Sequence, residues 1–207
     1  MFIIKKKRRF KKLKIRNNMK ESFFCSQYLD ITNEEWRNKG CSISSLWMGF
    51  KMLKKDFNLS VDQVLEEGIS INGFKEGFWD HKSIAILAHN HGLASYTEEF
   101  KSSPFGHDTE YVESVNEYGV NKIFDFLKNN RDNNFGVVIA SVPKNFDQID
   151  KPHSILLHNI SERDGEKYFI YNDSEKLSKS EGENLEINLE EFKSKWRKLA
   201  IFINTIG

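Results

Sequence analysis

Cys41 follows Gly40 and stands at the start of an apolar pattern with helical spacing. A thiol at a helix N-terminus meets unpaired backbone N–H groups and the positive end of the helix dipole. Both favour the thiolate, which is the nucleophilic form. A thiolate that attacks a carbonyl needs a base to take its proton and an acid to return one to the leaving group. His153 suits both roles. It follows Lys151-Pro152 and opens the apolar run Ser154-Ile155-Leu156-Leu157, which puts an imidazole where a strand meets a loop. Asn172 and Asp173 end the next strand, and either can orient the ring. Neighbouring strand residues point to opposite faces, so only one of them can serve. A loop from Ser161 to Gly165 sets His153 opposite Asp173, whereas a tight turn at Asp164-Gly165 sets it opposite Lys176, and the register leaves both open. Gln27 lies upstream in an extended segment, with an amide that can donate to an oxyanion. Each residue also has a plainer use: a small buried hydrophobe, a satisfied histidine at a sheet edge, a surface glutamine.

The elements that must hold these residues follow from periodicity. Phe23 to Leu29 reads as extended and Asn33 to Gly40 as a polar loop holding Trp36. From Cys41, the residues Ile43, Leu46, Phe50, Leu53 and Phe57 recur at three- and four-residue steps and make one helix stripe. Ser60 with Gln63 is a capping box for a second helix that stops at Gly68, and Asp80 can cap a third that ends by Gly92. A polar, poorly patterned stretch then runs through Pro104 and Gly106 and reads as a surface loop near the site. Val120 to Leu127 is helical in pattern. Past Asn133-Asn134 the chain changes character: Val137 to Val142 is a continuous apolar run, as in a strand buried on both faces. Ser154 to Ile160 and Lys167 to Asn172 are two more strands, turning at Asp164-Gly165. Asn188 and Glu191 cap a late helix with Phe192 and Trp196, and Leu199 to Asn204 closes as a strand. Helices first and strands second predict an α+β fold with helices packed on a mostly antiparallel sheet.

A length of 207 residues fits one domain with a sizeable core. The net charge of +1 conceals a basic stretch, because every charged residue from Lys5 to Lys20 is Lys or Arg while the rest of the chain is acidic. Residues 1–20 are expected to form a basic, disordered tail, with attraction to an anionic partner such as nucleic acid or a membrane surface as the other use, and 21–207 a single domain. No long apolar segment follows the basic residues, so no secretory signal and no transmembrane segment are recognised, and a cytoplasmic location is expected. Cys25 and Cys41 are too few for a disulfide scaffold and are expected to be free thiols.

The ordered set resembles the papain-like cysteine peptidases, and within them the bacteriocin-processing, double-glycine leader peptidase group and its stand-alone relatives. The residues that carry the resemblance are Gln27-Tyr28-Leu29-Asp30, Trp36, and Gly40-Cys41-Ser42-Ile43-Ser44-Ser45-Leu46. They continue with Val137-Val138-Ile139, then His153 and its apolar strand, Tyr171-Asn172-Asp173-Ser174, and Phe192 with Trp196. The resemblance spans about Phe23 to Asn204. Three positions depart from the family's pattern: Ser42 stands where it has Gly, Ile43 where it has Pro, and Ser174 where it has Pro. The first two predict a tighter approach to Cys41.

The resemblance implies a Cys41–His153–Asp173 site with Gln27 as oxyanion donor, acting on a peptide or protein substrate with no cofactor and no metal. Other acyl-transfer chemistry on the same site, or a non-enzymatic papain-like binding module, are the alternatives. His89 and His91 on a helix face roughly opposite ways, which argues against a shared metal ion. Cys25 shares a face with Gln27 if that segment is extended, but it has no helix start to activate it.

Overall fold

The computed structural model describes residues 22–101, 109–129 and 136–206. Its elements run α1 (Glu34–Arg37), α2 (Cys41–Leu53), α3 (Val61–Ser70), β1 (Phe74–Lys75), β2 (Phe78–Trp79), α4 (His81–Asn90) and β3 (Leu93–Glu99). They continue with α5 (Thr109–Asn129), β4 (Gly136–Lys144), β5 (Gln148–Arg163), β6 (Glu166–Asn172), α6 (Lys179–Gly182), β7 (Leu185–Asn188), α7 (Leu189–Lys195) and β8 (Leu199–Thr205). The fold is α+β, and six strands form one antiparallel sheet in the order β3-β8-β4-β5-β6-β7. The basic stretch Lys5 to Lys20, Pro104 with Gly106, and Asn133-Asn134 lie outside the described residues. Among the described residues no helix is long and apolar enough to cross a membrane.

The sheet has helices on both faces, and strand alternation sorts its residues between them. Val137 and Ile139 of β4 pack with Ile43, Leu46 and Phe50 of α2 and with Ile84 and Leu87 of α4. Val138, Ala140 and Val142 of the same strand pack with Ile123 and Phe124 of α5 and Phe192 of α7. A strand buried on both faces has no polar side to show, which is why Val137 to Val142 reads as an unbroken apolar run. Helix α2 lies close against the sheet at Gly49, where an added Cβ would sit 3.3 Å from Val137 Cγ2. Phe57, the last member of the predicted stripe, lies past the helix: Lys54 is extended, and the Phe57 ring packs back on Phe50 at 4.7 Å.

Several expectations are corrected. The segment from Phe23 is irregular and turns at Gln27–Asp30. The expected loop holds α1, capped by Asn33, whose side chain accepts from Glu35 N–H, and Trp36 packs its ring on Phe74 and Trp79. Ser60 and Gln63 do form both halves of a capping box, but α3 runs through Gly68 to Ser70. Gly68 is there for packing, since a Cβ would meet the Trp79 ring at 2.7 Å. The polar stretch after Gly92 begins as β3, an edge strand paired with β8 from Leu93↔Thr205 to Glu99↔Leu199. Only Leu93 of that strand is fully buried, so it lacks the alternation that marks a strand in sequence. Trp196 caps the C-terminus of α7 rather than lying within it.

The β5–β6 hairpin takes the tight turn. Asp164 and Gly165 have φ of 54° and 82°, as a two-residue turn with left-handed central residues requires. Arg163 therefore faces Glu166, and an irregularity at His158 shifts the register by one, so that Leu157 faces Tyr171 and Leu156 faces Asn172. Strand β5 starts at Gln148, so His153 lies inside it, opposite Val142, and not at its beginning. The next pair is Pro143 with Pro152, two residues that have no N–H to give to the ladder.

Candidate active site

Cys41 is the first residue of α2, and Gly40 is what allows it to be there. Gly40 has an ordinary φ of −84°, so its role is space rather than backbone freedom. A Cβ at Gly40 would lie 2.2 Å from Ile31 Cδ1, 3.2 Å from the Trp36 carbonyl oxygen and 3.5 Å from Gln27 Cβ. The start of α2 is thus pressed against the segment that carries Gln27. The first helical hydrogen bond runs from Ser44 N–H to the Gly40 carbonyl, at 2.8 Å. The N–H groups before Ser44, that of Cys41 among them, have no partner within the helix.

His153 and Asp173 are both buried, 5 % and 4 % exposed, and meet through a 2.6 Å hydrogen bond from Nε2 to Oδ1. That bond leaves Nδ1 as the ring nitrogen available to Cys41, whose influence is among the causes that raise the His153 pKa. The Asp173 carboxylate also accepts from Glu175 N–H at 3.0 Å, and Lys176 Nζ lies 3.8 Å from its Oδ2. Burial opposes charge on Asp173, but the His153 bond and charge and the Glu175 N–H outweigh it and hold its pKa below the ordinary carboxylate range. Burial also opposes charge on His153, but its bonds to Asp173 and Cys41 prevail and push it up to about 10. For Cys41, burial raises the pKa, while the His153 bond and charge, the Ser154 N–H and the Ser42 hydroxyl lower it, and the net shift is downward. These directions are those of a thiolate–imidazolium pair backed by a carboxylate.

Gln27 is buried beside this group. Its backbone N–H donates to the Ser174 carbonyl at 2.8 Å, and its Oε1 accepts from Ser174 Oγ at 3.1 Å. Its Nε2 donates to the Arg37 carbonyl at 2.8 Å, which uses one of two amide hydrogens. Ser174, at a position where the resembled group has Pro, thus ties Gln27 directly to the segment after Asp173. Asn172 has different partners. Its Nδ2 donates to the Phe23 carbonyl at 2.8 Å and to Ser22 Oγ at 3.0 Å. Its Oδ1 accepts from Asn184 N–H at 2.8 Å and pairs with His158 Nε2 at 3.2 Å. It anchors the start of the described chain to the end of β6.

Both cysteines are free. Cys25 is buried in the core, and burial pushes its thiol up to about 12, the opposite of activation. His89 and His91 go separate ways: His89 Nε2 lies 3.0 Å from Ser95 N and 2.8 Å from its carbonyl oxygen, while His91 Nε2 meets Glu67 at 2.6 Å. Among the described residues no cluster of His, Cys, Asp and Glu is arranged to hold a metal ion.

Sequence reasoning missed three groups around the site. Tyr28 Oη donates to Glu175 Oε1 at 2.9 Å, and Lys144 pairs with both, lashing the Gln27 turn to the end of β4 and the segment past Asp173. Ser174 grips Gln27. The Ser42 and Ser154 hydroxyls lie 2.9 Å apart. Polar residues whose partners are distant along the chain carry no signal of such contacts in a single sequence.

No curated protein matches the chain. The peptidase domain of Streptococcus ComA, a bifunctional ABC transporter involved in a quorum-sensing pathway, is 14 % identical, with a TM-score of 0.51 over 81 % of this chain and 93 % of that one. A double-glycine-motif protease from an AMS/PCAT transporter, solved with its leader peptide, is 18 % identical, with a TM-score of 0.47 over 82 % of this chain and 86 % of that one. The likeness to the ComA domain is one of fold. Residues 28–200, which include Cys41, His153 and Asp173, match the family described as Peptidase_C39-like, and the chain belongs to that family.

Proposed function

We propose that this chain is a cysteine peptidase acting through Cys41, His153 and Asp173, with Gln27 as oxyanion donor. The observation that carries the reading is a buried imidazole whose Nε2 lies 2.6 Å from the Asp173 carboxylate, on a strand that Ser154 ties to the helix start bearing Cys41. His153 takes the thiol proton. The thiolate attacks the carbonyl carbon of the scissile peptide, and the oxyanion forms beside the N-terminus of α2. The Cys41 N–H is one donor and the second Nε2 hydrogen of Gln27 the other. One such donor contributes about 3 kcal/mol to lowering the barrier in characterised hydrolases. The tetrahedral species collapses, the C–N bond breaks, and His153 gives its proton to the leaving amine. A water, deprotonated by His153, then cleaves the thioester. Asp173 holds the ring in one orientation and stabilises its charge throughout.

The substrate we infer is a peptide cleaved after a pair of glycines, as the resemblance of the Cys41 and His153 segments to the double-glycine leader peptidase group implies. The test is hydrolysis of a synthetic peptide with a central Gly-Gly, against the same peptide with Ala-Ala, by the whole chain and by Cys41→Ala. Cleavage after Gly-Gly that Cys41→Ala abolishes is the expected result. Cleavage unaffected by Cys41→Ala overturns the site, and equal cleavage of both peptides overturns the substrate.

A further inference from the structure

Glu175 lies two residues past Asp173 and bonds in two directions. Its backbone N–H donates to Asp173 Oδ1 at 3.0 Å, the same oxygen that meets His153 Nε2 at 2.6 Å. Its side chain is 10 % exposed, and Oε1 accepts from Tyr28 Oη at 2.9 Å and pairs with Lys144 Nζ. Lys144 Nζ also donates to Tyr28 Oη at 3.2 Å, so the three groups close a ring. Glu175 Oε2 is buried with no hydrogen-bond partner among the described residues. A buried carboxylate is costly unless it is paired, so this one depends on Tyr28 and Lys144. Tyr28 follows Gln27, and Lys144 lies two residues past Val142, the strand partner of His153. One carboxylate thus joins the segments that carry or flank Gln27, His153 and Asp173.

We propose that Glu175 is a positioning residue for the Cys41–His153–Asp173 site, and that Tyr28 and Lys144 clamp its carboxylate so that its backbone N–H holds Asp173 Oδ1 against His153. The proposal rests on the cysteine-peptidase reading and adds three residues to it, which act through Asp173 and not on the reacting atoms. The need for a clamp follows from where Asp173 sits. It lies past the last pair of the β5–β6 ladder, so the sheet does not fix its direction. Its other oxygen, Oδ2, faces Lys176 Nζ at 3.8 Å, at the end of a long and partly exposed side chain. The Glu175 N–H is the backbone donor that sets which way the carboxylate points, and a charged acceptor makes that bond strong. Such a donor is fixed only if its own residue is held. Gln27 holds the turn at Ser174, through a 2.8 Å bond to the carbonyl and a 3.1 Å bond from the hydroxyl. Tyr28 and Lys144 hold it one residue later, at Glu175.

The experiment is the rate of Cys41 alkylation by iodoacetamide as a function of pH, followed on the whole chain by mass spectrometry, a readout that does not depend on the substrate. The variants are Tyr28→Phe, Glu175→Ala, the two combined, Glu175→Gln and, to test the underlying site, His153→Ala. A loosened Asp173 stabilises the imidazolium less, so the thiolate forms less readily. The inflection of the profile is expected to move up by about 0.5–1 pH unit in Glu175→Ala, the size of one hydrogen bond, and by less in Tyr28→Phe. Glu175→Gln keeps an acceptor for Tyr28 and gives a smaller shift than Glu175→Ala. Because Tyr28 acts through Glu175, Tyr28→Phe adds no shift in the Glu175→Ala background. A Glu175→Ala inflection at the wild-type value, whatever happens to the thermal midpoint, overturns the proposal, because the ring then only stabilises the fold. Shifts that add in the combined variant overturn it too. Tyr28→Phe deletes one hydroxyl and keeps the aromatic ring, so where Glu175→Ala does not fold it carries the test alone. A different failure is separable. A wild-type inflection in the ordinary thiol range that His153→Ala leaves unmoved overturns the Cys41–His153 reading, and the clamp with it.

Discussion

His153 and Asp173 share a 2.6 Å hydrogen bond although strand pairing never sets them opposite one another. The last pair of the β5–β6 ladder is Leu156 with Asn172, so Asp173 is the first residue beyond it. Free of the ladder, the chain there turns so that Asp173 N–H bonds the Gly182 carbonyl at 2.8 Å while the carboxylate turns to the imidazole. A residue in the ladder would have its side-chain direction dictated by the pleat; one just past it can be aimed.

That geometry separates two adjacent residues by substitution. Asp173→Ala leaves a buried imidazole without its carboxylate and is expected to lower kcat by about 100-fold or more. Asn172→Ala removes bonds to Phe23, Ser22 and Asn184 and is expected to lower the thermal midpoint while retaining most of the turnover at permissive temperature. Steady-state kinetics and thermal melts on both variants check the assignment. Full turnover in Asp173→Ala with turnover lost in Asn172→Ala reverses it.

The pH dependence follows from the directions of shift. The Cys41 thiol is lowered, and His153 is raised to about 10, so the ion pair occupies the interval between them. The kcat/KM profile is expected to rise on its acid side below the ordinary thiol range and to fall on its alkaline side as the imidazolium deprotonates. The same shifts bear on stability. With a folded pKa above its unfolded value, protonated His153 stabilises the fold fully below about 6.5, and that contribution is lost as pH rises through about 10. Asp173 is depressed, so its contribution is present above the ordinary carboxylate pKa and is lost on acidification through its folded value. A His153→Ala variant is expected to abolish turnover and to remove the alkaline loss of stability, which thermal melts across pH read directly.

The two thiols are expected to label very differently. Iodoacetamide at neutral pH should modify Cys41 first, because Cys25 is buried and pushed up to about 12. Peptide mapping after brief exposure reads this directly, and modification of Cys25 ahead of Cys41 overturns the assignment of the nucleophile.

What the sequence made legible, and what it hid, divides along physical lines. The α2 stripe, the β4 run and the Asp164-Gly165 turn were readable because apolar periodicity and left-handed turn residues are local signals. Strand β3 was not, because an edge strand with one fully buried residue carries no alternation. The residues Cys41, His153, Asp173 and Gln27 stood out by type and order, yet which of Asn172 and Asp173 meets His153 was not readable from strand register, because Asp173 lies past the last ladder pair and is aimed by the turn there. Ser174 and Ser42 were visible only as departures from a family pattern; the contacts that give them meaning are long-range, to Gln27 and Ser154.

Gly40 should tolerate no side chain. A Cβ 2.2 Å from Ile31 Cδ1 and 3.2 Å from the Trp36 carbonyl can be accommodated only if the fully buried Ile31 side chain is displaced and the Trp36 carbonyl gives way slightly. Gly40→Ala is expected to destabilise the protein by about 1–3 kcal/mol, as overpacking does. It should also lower activity in the fraction that remains folded, since Cys41 is the next residue. Denaturant melts and active-site titration give the two readouts, and a variant of unchanged stability shows that the approach is looser than the geometry requires.

Gln27 carries the most exacting prediction, because it is both a structural tie and the proposed oxyanion donor. Its Oε1 and one amide hydrogen are engaged by Ser174 and Arg37, which fixes the amide plane beside Gly40 and leaves a single hydrogen for chemistry. Gln27→Ala removes ties and donor together, so its expected loss of about 100-fold in kcat would be ambiguous alone. Two further measurements resolve it. A donor that acts in the transition state leaves KM nearly unchanged when it is removed. Alkylation of Cys41 by iodoacetamide develops no oxyanion, so its rate should fall little if the site is still assembled. Low turnover with near-normal KM and alkylation identifies Gln27 as the donor. Low turnover with alkylation lost in parallel identifies it as a strut for the Cys41 segment, and normal turnover removes it from the site.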